Sequence, residues 1–354
     1  MPPAEEASGV PPQAPALPPG HALYQMAMGH FVPRALALAV KLGLADLLKD
    51  GPRSSRDLAA ATQTHTPSLA RVARLLASVG VFAELPDGTF ALTPLGEPLR
   101  ADAPGSVRAL VLLFAGVEGQ DAWKDLEYCV RTGDPSFRRT EPGTDPYTLM
   151  ARSPELTALF DQAMATFAPW TAAAVAAAID FSAFGRVVDV GGGNGTLLIG
   201  ILKAYPGLAG VVFDQPHAAA RAREQVAAAG LAGRCEVLAG SFFDEVPCGA
   251  DAYLLSHVLV DWDNERAAAI LRNCRAAMPR HGQVLILEEV YPARVDLSDA
   301  CRDAAAIDVL MLVCTGGRQR SEEEFRGLLA ASGFRLSRLV PTAAGLSVVQ
   351  GEPA

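Results

Sequence analysis

Beyond residue 180 the chain alternates short apolar runs with longer stretches whose apolar residues recur at helical spacing. This alternation predicts strands connected by helices, as in βαβ units. The last two runs are joined by only a few residues, whereas a parallel pair needs a long crossover, so the last strand should be antiparallel. The pattern predicts an α/β fold with a mostly parallel sheet over 181–354. Its strands are expected at 186–190, 209–213, 235–238, 251–256, 283–289, 335–341 and 346–350.

The first fifty residues divide into two patterns. Residues 1–20 are rich in Pro, Ala and Glu and are predicted to form a disordered tail, because they bury too little apolar surface to offset the entropy of ordering. Residues 21–49 have helical spacing with a glycine at 43, and many apolar residues fall outside a single stripe. The pattern suggests a helix buried on several sides, for which a second subunit is one cover.

Residues 54–93 have the pattern of a winged helix. Ser54 and Ser55 can cap a first helix, and Thr66 followed by Pro67 opens a second. The runs 81–85 and 89–93 then flank a Pro-Asp-Gly turn, which is typical of a hairpin. Such a domain, placed at 21–104, either binds DNA or serves as a dimerisation scaffold. A net charge of −9 and only two arginines on the second helix, Arg71 and Arg74, favour the scaffold.

Residues 105–180 are mostly helical in pattern and rich in aromatic residues. Phe160, Met164 and Phe167 fall at i, i+4 and i+7, which would place them on one helical face. We interpret 105–180 as a substrate-covering segment. The aromatic face is either a wall for an aromatic substrate or ordinary core packing.

A glycine-rich loop follows the first strand of the sheet. The run Val187 to Thr196 passes from apolar residues through Asp189 to glycines at 191, 192, 193 and 195. Glycine permits tight backbone angles and a close approach to a ligand. Asp214 ends the next strand about 20 residues on, where a carboxylate can accept both hydroxyls of a ribose. The loop therefore predicts a nucleoside cofactor.

Two details favour S-adenosylmethionine (SAM) over NAD. Thr196 takes the place of the last glycine in the dinucleotide pattern G-x-G-x-x-G. Asp189 lies just ahead of the loop, where a carboxylate would repel a pyrophosphate but suit the positive charges of SAM.

Five segments in order resemble one family. They are 187–198, 213–216, 240–243, 257–262 and 316–321. Together they are similar to the SAM-dependent O-methyltransferases of small phenolic and polyketide metabolites, over about residues 22 to 350. The resemblance implies a Rossmann-like class I methyltransferase domain at 181–354 and a winged-helix domain used for homodimerisation. It also implies a cytoplasmic enzyme of secondary metabolism, including antibiotic biosynthesis, that binds an aromatic or polyketide substrate and converts SAM to S-adenosylhomocysteine (SAH).

The resemblance assigns cofactor contacts to matching positions. It places Gly191 and Gly193 near the methionine part of SAM, Asp214 on the ribose, and Ser241 and Phe242 on the adenine. Trp262 takes the adenine-capping position, and Ser256 replaces a residue that is often basic. Asp189 joins this set, and Asp261 either contacts the ammonium group of the cofactor or caps the following helix.

The chain departs from the family at the catalytic base. Val260 stands where relatives carry a histidine, and Gln319 stands where they carry an acid that orients it; of the trio only Glu288 remains. His257 and Asp308 are candidates for a substitute base. His257 qualifies if it shares a helical face with Val260, and Asp308 qualifies if it points into the pocket. A strand-end hydrogen-bonding role for His257 is the alternative. Met311 lies near Asp308 and is a candidate substrate contact. No spacing of His, Cys, Asp and Glu demands a metal, so none is expected.

Three functions remain open from the sequence. The first is methyl transfer that depends mainly on proximity, without the usual histidine. The second retains SAM but performs hydroxylation, decarboxylation or pericyclic cyclisation. The third is a winged-helix regulator that senses SAM.

The acidic charge disfavours nucleic acid and anionic membranes as partners, and the lack of an 18-residue apolar run predicts no membrane span. Six cysteines without a C-x-x-C pair are typical of a reducing compartment.

Overall fold

The computed structural model describes residues 18–116 and 121–354. It divides into two compact units between Glu97 and Pro98, seven residues before the predicted domain boundary. Residues 105–180 and the sheet belong to one unit. The predicted tail lies outside the described residues up to 17, and at its end a helix begins at Pro19.

The first unit has the predicted helix–turn–helix followed by a hairpin. Ser54 caps the first of these helices by accepting a hydrogen bond from the Asp57 amide at 3.1 Å. A three-stranded sheet of order β1-β3-β2 completes the unit. Its elements are α1 (Pro19–Met28), α2 (Phe31–Lys41), α3 (Leu44–Leu47), β1 (Arg53–Ser54), α4 (Ser55–Thr62), α5 (Thr66–Ser78), β2 (Phe82–Glu84) and β3 (Thr89–Leu92).

The predicted single helix over 21–49 was wrong in its extent. The stretch forms three helices, and α1 buries no residue. Leu23, Tyr24 and Met26 on α1 are 67%, 58% and 75% exposed. Gly43 adopts a left-handed φ of +67° and starts α3, which explains the break at that position.

Among the described residues of the second unit, five α-helices precede the large sheet. They are α6 (Arg108–Ala115), α7 (Leu126–Thr132), α8 (Pro146–Met150), α9 (Pro154–Ala165) and α10 (Ala168–Ala178). Helix α9 packs against α6, whereas α10 contributes Ala172 and Val175 to the core beside the sheet. Because α9 ends at Ala165 and Phe167 is the N-cap of α10, the expected single face of Phe160, Met164 and Phe167 was wrong.

The large sheet confirms the predicted strands. They are β4 (Arg186–Val190), β5 (Ala209–Asp214), β6 (Cys235–Ala239), β7 (Ala252–Ser256), β8 (Gln283–Glu288), β9 (Phe334–Pro341) and β10 (Ser347–Pro353). The order is β6-β5-β4-β7-β8-β10-β9; the pairs from β6 to β8 are parallel, and β10 is antiparallel to both neighbours. The expected reversal of the last strand is confirmed.

Helices cover both faces of this sheet. Val188 and Val211 face one apolar cluster, and the adjacent residues Val187 and Val212 face the other. This is the period-two alternation of a strand buried on both sides. The covering helices are α11 (Thr196–Ala204), α12 (Pro216–Ala228), α13 (Asn264–Ala277) and α15 (Glu322–Ala330), and α14 (Asp299–Cys314) follows β8. Among the described residues, no helix is long and apolar enough to cross a membrane.

Candidate active site

The predicted cofactor residues meet at the carboxyl ends of β4, β5 and β7. The chain enters the sheet at β4 and later returns to its other side as β7, so the strand order reverses there. Loops that leave in opposite directions at such a point open a crevice, which is where open α/β sheets bind ligands.

The glycine loop has the close backbone packing that its sequence predicted. Gly191 has a φ of +74°, and a Cβ there would lie 2.8 Å from Val258 Cγ2. Its amide donates to the Phe213 carbonyl at 2.8 Å, which anchors the loop to β5. Gly193 has a φ of +58°, but a Cβ there would meet nothing within 4 Å. The loop is thus fixed at Gly191 and leaves open space at Gly193.

Asp214 is held by the backbone around it. Its Oδ2 accepts from the Gly193 amide at 2.7 Å, and its Oδ1 accepts from the Gln215 amide at 2.6 Å. Burial raises the pKa of Asp214 although both hydrogen bonds oppose that rise. The carboxylate is therefore oriented at the end of β5, the position from which a ribose is bound in nucleoside sites.

Asp189 is buried without a hydrogen-bond partner. It is 1% exposed, and neither carboxylate oxygen has a partner among the described residues. Burial, and then the charge of Asp214, raise the pKa of Asp189 to about 7. An unpaired buried acid is costly unless a donor or cation completes it. Asp189 next to the glycine loop thus fits a cationic ligand such as the ammonium group of SAM.

Aromatic rings gather beside this crevice. Trp262 is buried; its ring centroid lies 4.8 Å from that of Phe243 and 6.2 Å from that of Phe242. The Arg266 guanidinium stacks over Trp262 and Phe243, at 4.5 and 4.7 Å from the ring centroids. The structure thus brings Phe242 and Trp262 together as expected. The Ser241 hydroxyl accepts from the Phe243 amide at 3.2 Å, which shapes this turn. Sequence reasoning missed Arg266, although its spacing of four from Trp262 could have indicated the contact.

Val260 lies in a single turn of 3-10 helix, Leu259–Asp261. Its amide donates to Glu288 Oε1 at 2.9 Å. Glu288 is buried, its Oε2 has no partner among the described residues, and burial raises its pKa to about 7. Glu288 therefore meets Val260 through the backbone amide, and the Val260 side chain has no donor for the other oxygen.

Asp261 is bound to Tyr147, a contact that the sequence did not predict. It accepts a hydrogen bond from the Tyr147 hydroxyl, and burial raises its pKa to about 7. The following helix, α13, is capped by Asp263, which accepts from the Arg266 amide at 2.9 Å. The hypothesis that Asp261 caps this helix was wrong. Sequence reasoning missed Tyr147, because its contact crosses 114 positions of the chain.

A loop after α14 holds the Val260 turn in place. Arg320 is fully buried and donates to the carbonyls of Leu259 and Trp262, each at 2.7 Å. Gly317 packs so closely that a Cβ would overlap the Val260 carbonyl oxygen. An arginine in a polar segment normally predicts an exposed side chain, so no sequence signal indicated this role.

His257 follows directly after β7. Its φ is +53°, its amide donates to the Leu287 carbonyl at 3.1 Å, and its Nδ1 lies 3.2 Å from the Ser256 hydroxyl. The 3-10 turn begins at Leu259, so the expected shared helical face with Val260 was wrong. Desolvation lowers the pKa of His257, although the residue is exposed to the crevice. Desolvation disfavours the charged imidazolium, so this shift in pKa favours the neutral ring.

Asp308 is bound to the loop that follows α14. Its Oδ1 accepts from the Gln319 amide at 2.7 Å, so it fixes the loop after α14. The Gln319 side chain donates to Glu289 at 3.4 Å, a residue that sequence reasoning missed, while its own Oε1 has no described partner. Asp308 thus shapes the loop beside Val260.

The predicted substrate residues lie in different environments. The Phe160 ring meets Tyr147 edge-on at 6.1 Å, and Tyr147 lies 5.9 Å from Trp262. Met164 and Phe167 are exposed, and Met311 is half-buried on α14. Only Phe160 of these four joins the aromatic group at the crevice by a described ring contact. The described residues contain no cluster of His, Cys, Asp and Glu that could hold a metal.

Comparison with known proteins gives consistent matches. Residues 123–335 match the model of an O-methyltransferase domain, and residues 24–101 match that of an O-methyltransferase dimerisation domain. The chain is 43% identical to the phenazine O-methyltransferase of Lysobacter antibioticus, over 96% of this chain and 98% of the relative. It is 41% identical to the mitomycin biosynthesis 6-O-methyltransferase of Streptomyces lavendulae, over 90% and 89%.

A solved structure matches over the whole fold. It is an O-methyltransferase from neocarzinostatin biosynthesis, in complex with SAM and 2-hydroxy-5-methyl naphthoic acid. Its TM-score is 0.80 at 35% identity, over 91% of this chain and 96% of that one. With the crevice described above, these matches show that the chain belongs to the O-methyltransferase family, as a SAM-dependent methyltransferase with a dimerisation domain.

Proposed function

We propose that the protein methylates an oxygen of a small aromatic or polyketide-type natural product, mainly by positioning, without the histidine base of its family. The observation that carries this proposal is the combination of an intact cofactor cradle with Val260 beside Glu288. Asp189, Gly193 and Asp214 keep the arrangement that a nucleoside cation needs. The position expected to hold the base carries Val260, and the position expected to hold its orienting acid carries Gln319.

The substrate class is supported by relatives and by ring contacts. The relatives include enzymes named for phenazine and mitomycin, and the matched structure holds a naphthoic acid. In this chain Phe160, Tyr147 and Trp262 form a line of ring contacts beside the crevice. Flat apolar rings gain from offset or edge-on packing with such side chains.

The residues act by binding and orientation. SAM supplies a methyl group already activated by a positively charged sulfur. Asp189 and Asp214 hold the cofactor by charge and hydrogen bonds, and the rings hold the acceptor, so that the acceptor oxygen faces the methyl carbon. Such alignment can contribute a factor of about 10⁵ or more, against roughly 10² to 10⁴ for one general base. An acidic phenol or enol that ionises by itself therefore needs no base.

A less acidic hydroxyl needs a proton acceptor, and His257 is the candidate. Its lowered pKa favours the neutral ring, and it is exposed to the crevice at the end of β7. Replacing it, His257→Ala, should lower the rate and remove one limb of its pH profile. An unchanged rate and profile would leave His257 as a strand-end hydrogen-bonding residue.

We also infer a homodimer that works in the cytoplasm. The matched dimerisation domain and the exposed apolar side chains of α1 support the dimer. Six free cysteines suit a reducing compartment.

A second function is favoured by the same substitutions at 260 and 319. A SAM-binding relative without methyl transfer could use the fixed positive charge of the cofactor to stabilise developing negative charge in hydroxylation, decarboxylation or cyclisation. Incubation with methyl-labelled SAM and a panel of hydroxylated phenazines, naphthoates and polyketide phenols separates the two. Label in the product supports the proposal, whereas a converted substrate with unconsumed SAM overturns it in favour of the second function.

A further inference from the structure

An ion pair joins helix α9 to helix α12 beside the cofactor cradle. Asp161 on α9 pairs with Arg221 on α12, and their side chains are 15% and 35% exposed. Asp161 directly follows Phe160, whose ring meets Tyr147. Arg221 lies on the helix that starts just after Asp214. The pair therefore connects α9, which carries Phe160, to α12, which begins just after Asp214.

The two carboxyl groups and the arginine act on one another. Burial raises the pKa of Asp161, the nearby charge of Asp214 raises it further, and Arg221 and His217 oppose the rise. Arg221 and His217 also oppose the rise in the pKa of Asp214. The charges of Arg221 and His217 thus act on both Asp161 and Asp214.

A cavity of about 420 Å³ lies beside this pair. Asp161 and Arg221 line it together with Asn194, Gln162, Thr166 and Gln225. Asn194 is the next residue after Gly193, whose amide binds Asp214. Asp161 and Arg221 thus line a cavity that is also lined by Asn194, the neighbour of Gly193.

We propose that the Asp161–Arg221 ion pair is a latch that holds α9 over the ribose end of the cradle, and that the cofactor product leaves through the cavity when the pair opens. This inference concerns cofactor release and goes beyond the methyl-transfer chemistry. The pair is partly buried, so losing one partner leaves the other charge poorly solvated and weakens the closed arrangement. Both the release and the binding of cofactor should then become faster. The same opening would withdraw Phe160 from Tyr147.

The test measures SAH release from the full-length protein, without any acceptor, by stopped-flow displacement followed through tryptophan fluorescence. Asp161→Asn and Arg221→Gln should each speed release by about tenfold, in the range expected when one partner of a partly buried charge pair is truncated. The charge-swapped variant D161R/R221D should return the release rate to within about threefold of the original, a recovery that a merely structural loss would not give. Because no acceptor is present, the result is independent of whether methyl transfer occurs.

Arg186→Gln is the matched control. It breaks an exposed ion pair with Glu236 on the same sheet domain, so it should leave release unchanged. If D161R/R221D does not fold, Arg221→Lys takes its place in the test. Because lysine retains the positive charge, SAH release should be slower in Arg221→Lys than in Arg221→Gln. The latch is overturned if Asp161→Asn and Arg221→Gln both release SAH at the original rate. It is also overturned if D161R/R221D, or Arg221→Lys in its place, releases SAH no more slowly than these two single variants.

Discussion

Three buried carboxyl groups near the crevice, those of Asp189, Asp261 and Glu288, have pKa values raised to about 7 by burial. Each has a different environment. Asp189 has no partner, Asp261 accepts from Tyr147, and Glu288 accepts from the Val260 amide through one oxygen only. Buried carboxyl groups thus occur here in three settings: without a partner, bound to a tyrosine hydroxyl, and bound to a backbone amide.

Asp189→Asn should stabilise the cofactor-free protein more at pH 8 than at pH 5. The pKa of Asp189 is raised from 3.8 to about 7, so its stabilising contribution is full below the unfolded pKa and is lost as pH rises through the folded one. Asparagine does not titrate, and the gain between pH 5 and pH 8 should be about 2 to 3 kcal/mol. Urea unfolding at both pH values measures this difference.

The same substitution should weaken SAH binding by about tenfold to a hundredfold, because a charged hydrogen-bond partner is lost. Asp244→Asn, at an exposed aspartate, is the control and should change neither quantity. An equal change in stability at both pH values would contradict the raised pKa of Asp189.

Val260→His should restore base assistance. The new imidazole would face Glu288, whose Oε2 has no described partner, and that carboxyl could hold it as in the family trio. Methylation of a weakly acidic phenol should rise by about tenfold to a hundredfold, less than the full contribution of a base because Gln319 remains neutral. Initial rates with labelled SAM measure the gain, and Val260→Leu is the apolar control. An unchanged rate with a weakly acidic phenol would count against the missing-base interpretation.

At the scale of elements, the strands were predictable because their signal is local. Runs such as 211–213 and 252–255 are apolar over their own length, and a run buried on both faces needs no information from elsewhere in the chain. The glycine loop and Asp214 were predictable for the same reason, since one strand–loop–helix unit and the end of the next strand contain them. The last strand followed from the short connection before it.

The loops that surround Val260 were not predictable. Arg320 contacts carbonyls about 60 positions away, and Tyr147 reaches across 114. Asp308 was expected at the crevice because its neighbours on α14 are apolar, yet it binds the loop backbone at Gln319. Residue type and spacing indicate what a side chain can do, whereas only the packing of distant segments decides what it meets.

Gly317→Ala tests the fit between two such loops. A Cβ at 317 would overlap the Val260 carbonyl, and that contact is with backbone that cannot turn away. The variant should lose about 2 kcal/mol or more in free energy of unfolding, in the range of overpacked sites. Gly327→Ala is the matched control, because it lies inside α15 with nothing within 4 Å of its Cβ. There alanine should be neutral or stabilise by up to about 1 kcal/mol. Similar thermal midpoints for the two variants would refute the close approach.

At the scale of the whole molecule, the exposed side chains of α1 require a cover. Leu23, Tyr24 and Met26 would leave a cluster of large apolar side chains in water, and such patches mark interaction sites. The matched dimerisation domain begins at Tyr24 and includes Tyr24 and Met26, so a second copy of the chain is the proposed cover. Leu23→Glu together with Met26→Glu should place two charges in that interface and shift the protein from twice its 37.1 kDa chain mass to one. Light scattering after size-exclusion chromatography measures the mass.

Leu297→Glu, at a side chain that is 96% exposed outside the matched dimerisation domain, should leave the mass unchanged. A monomeric original protein, or a double variant that remains dimeric, would show that α1 is covered by something other than a second copy.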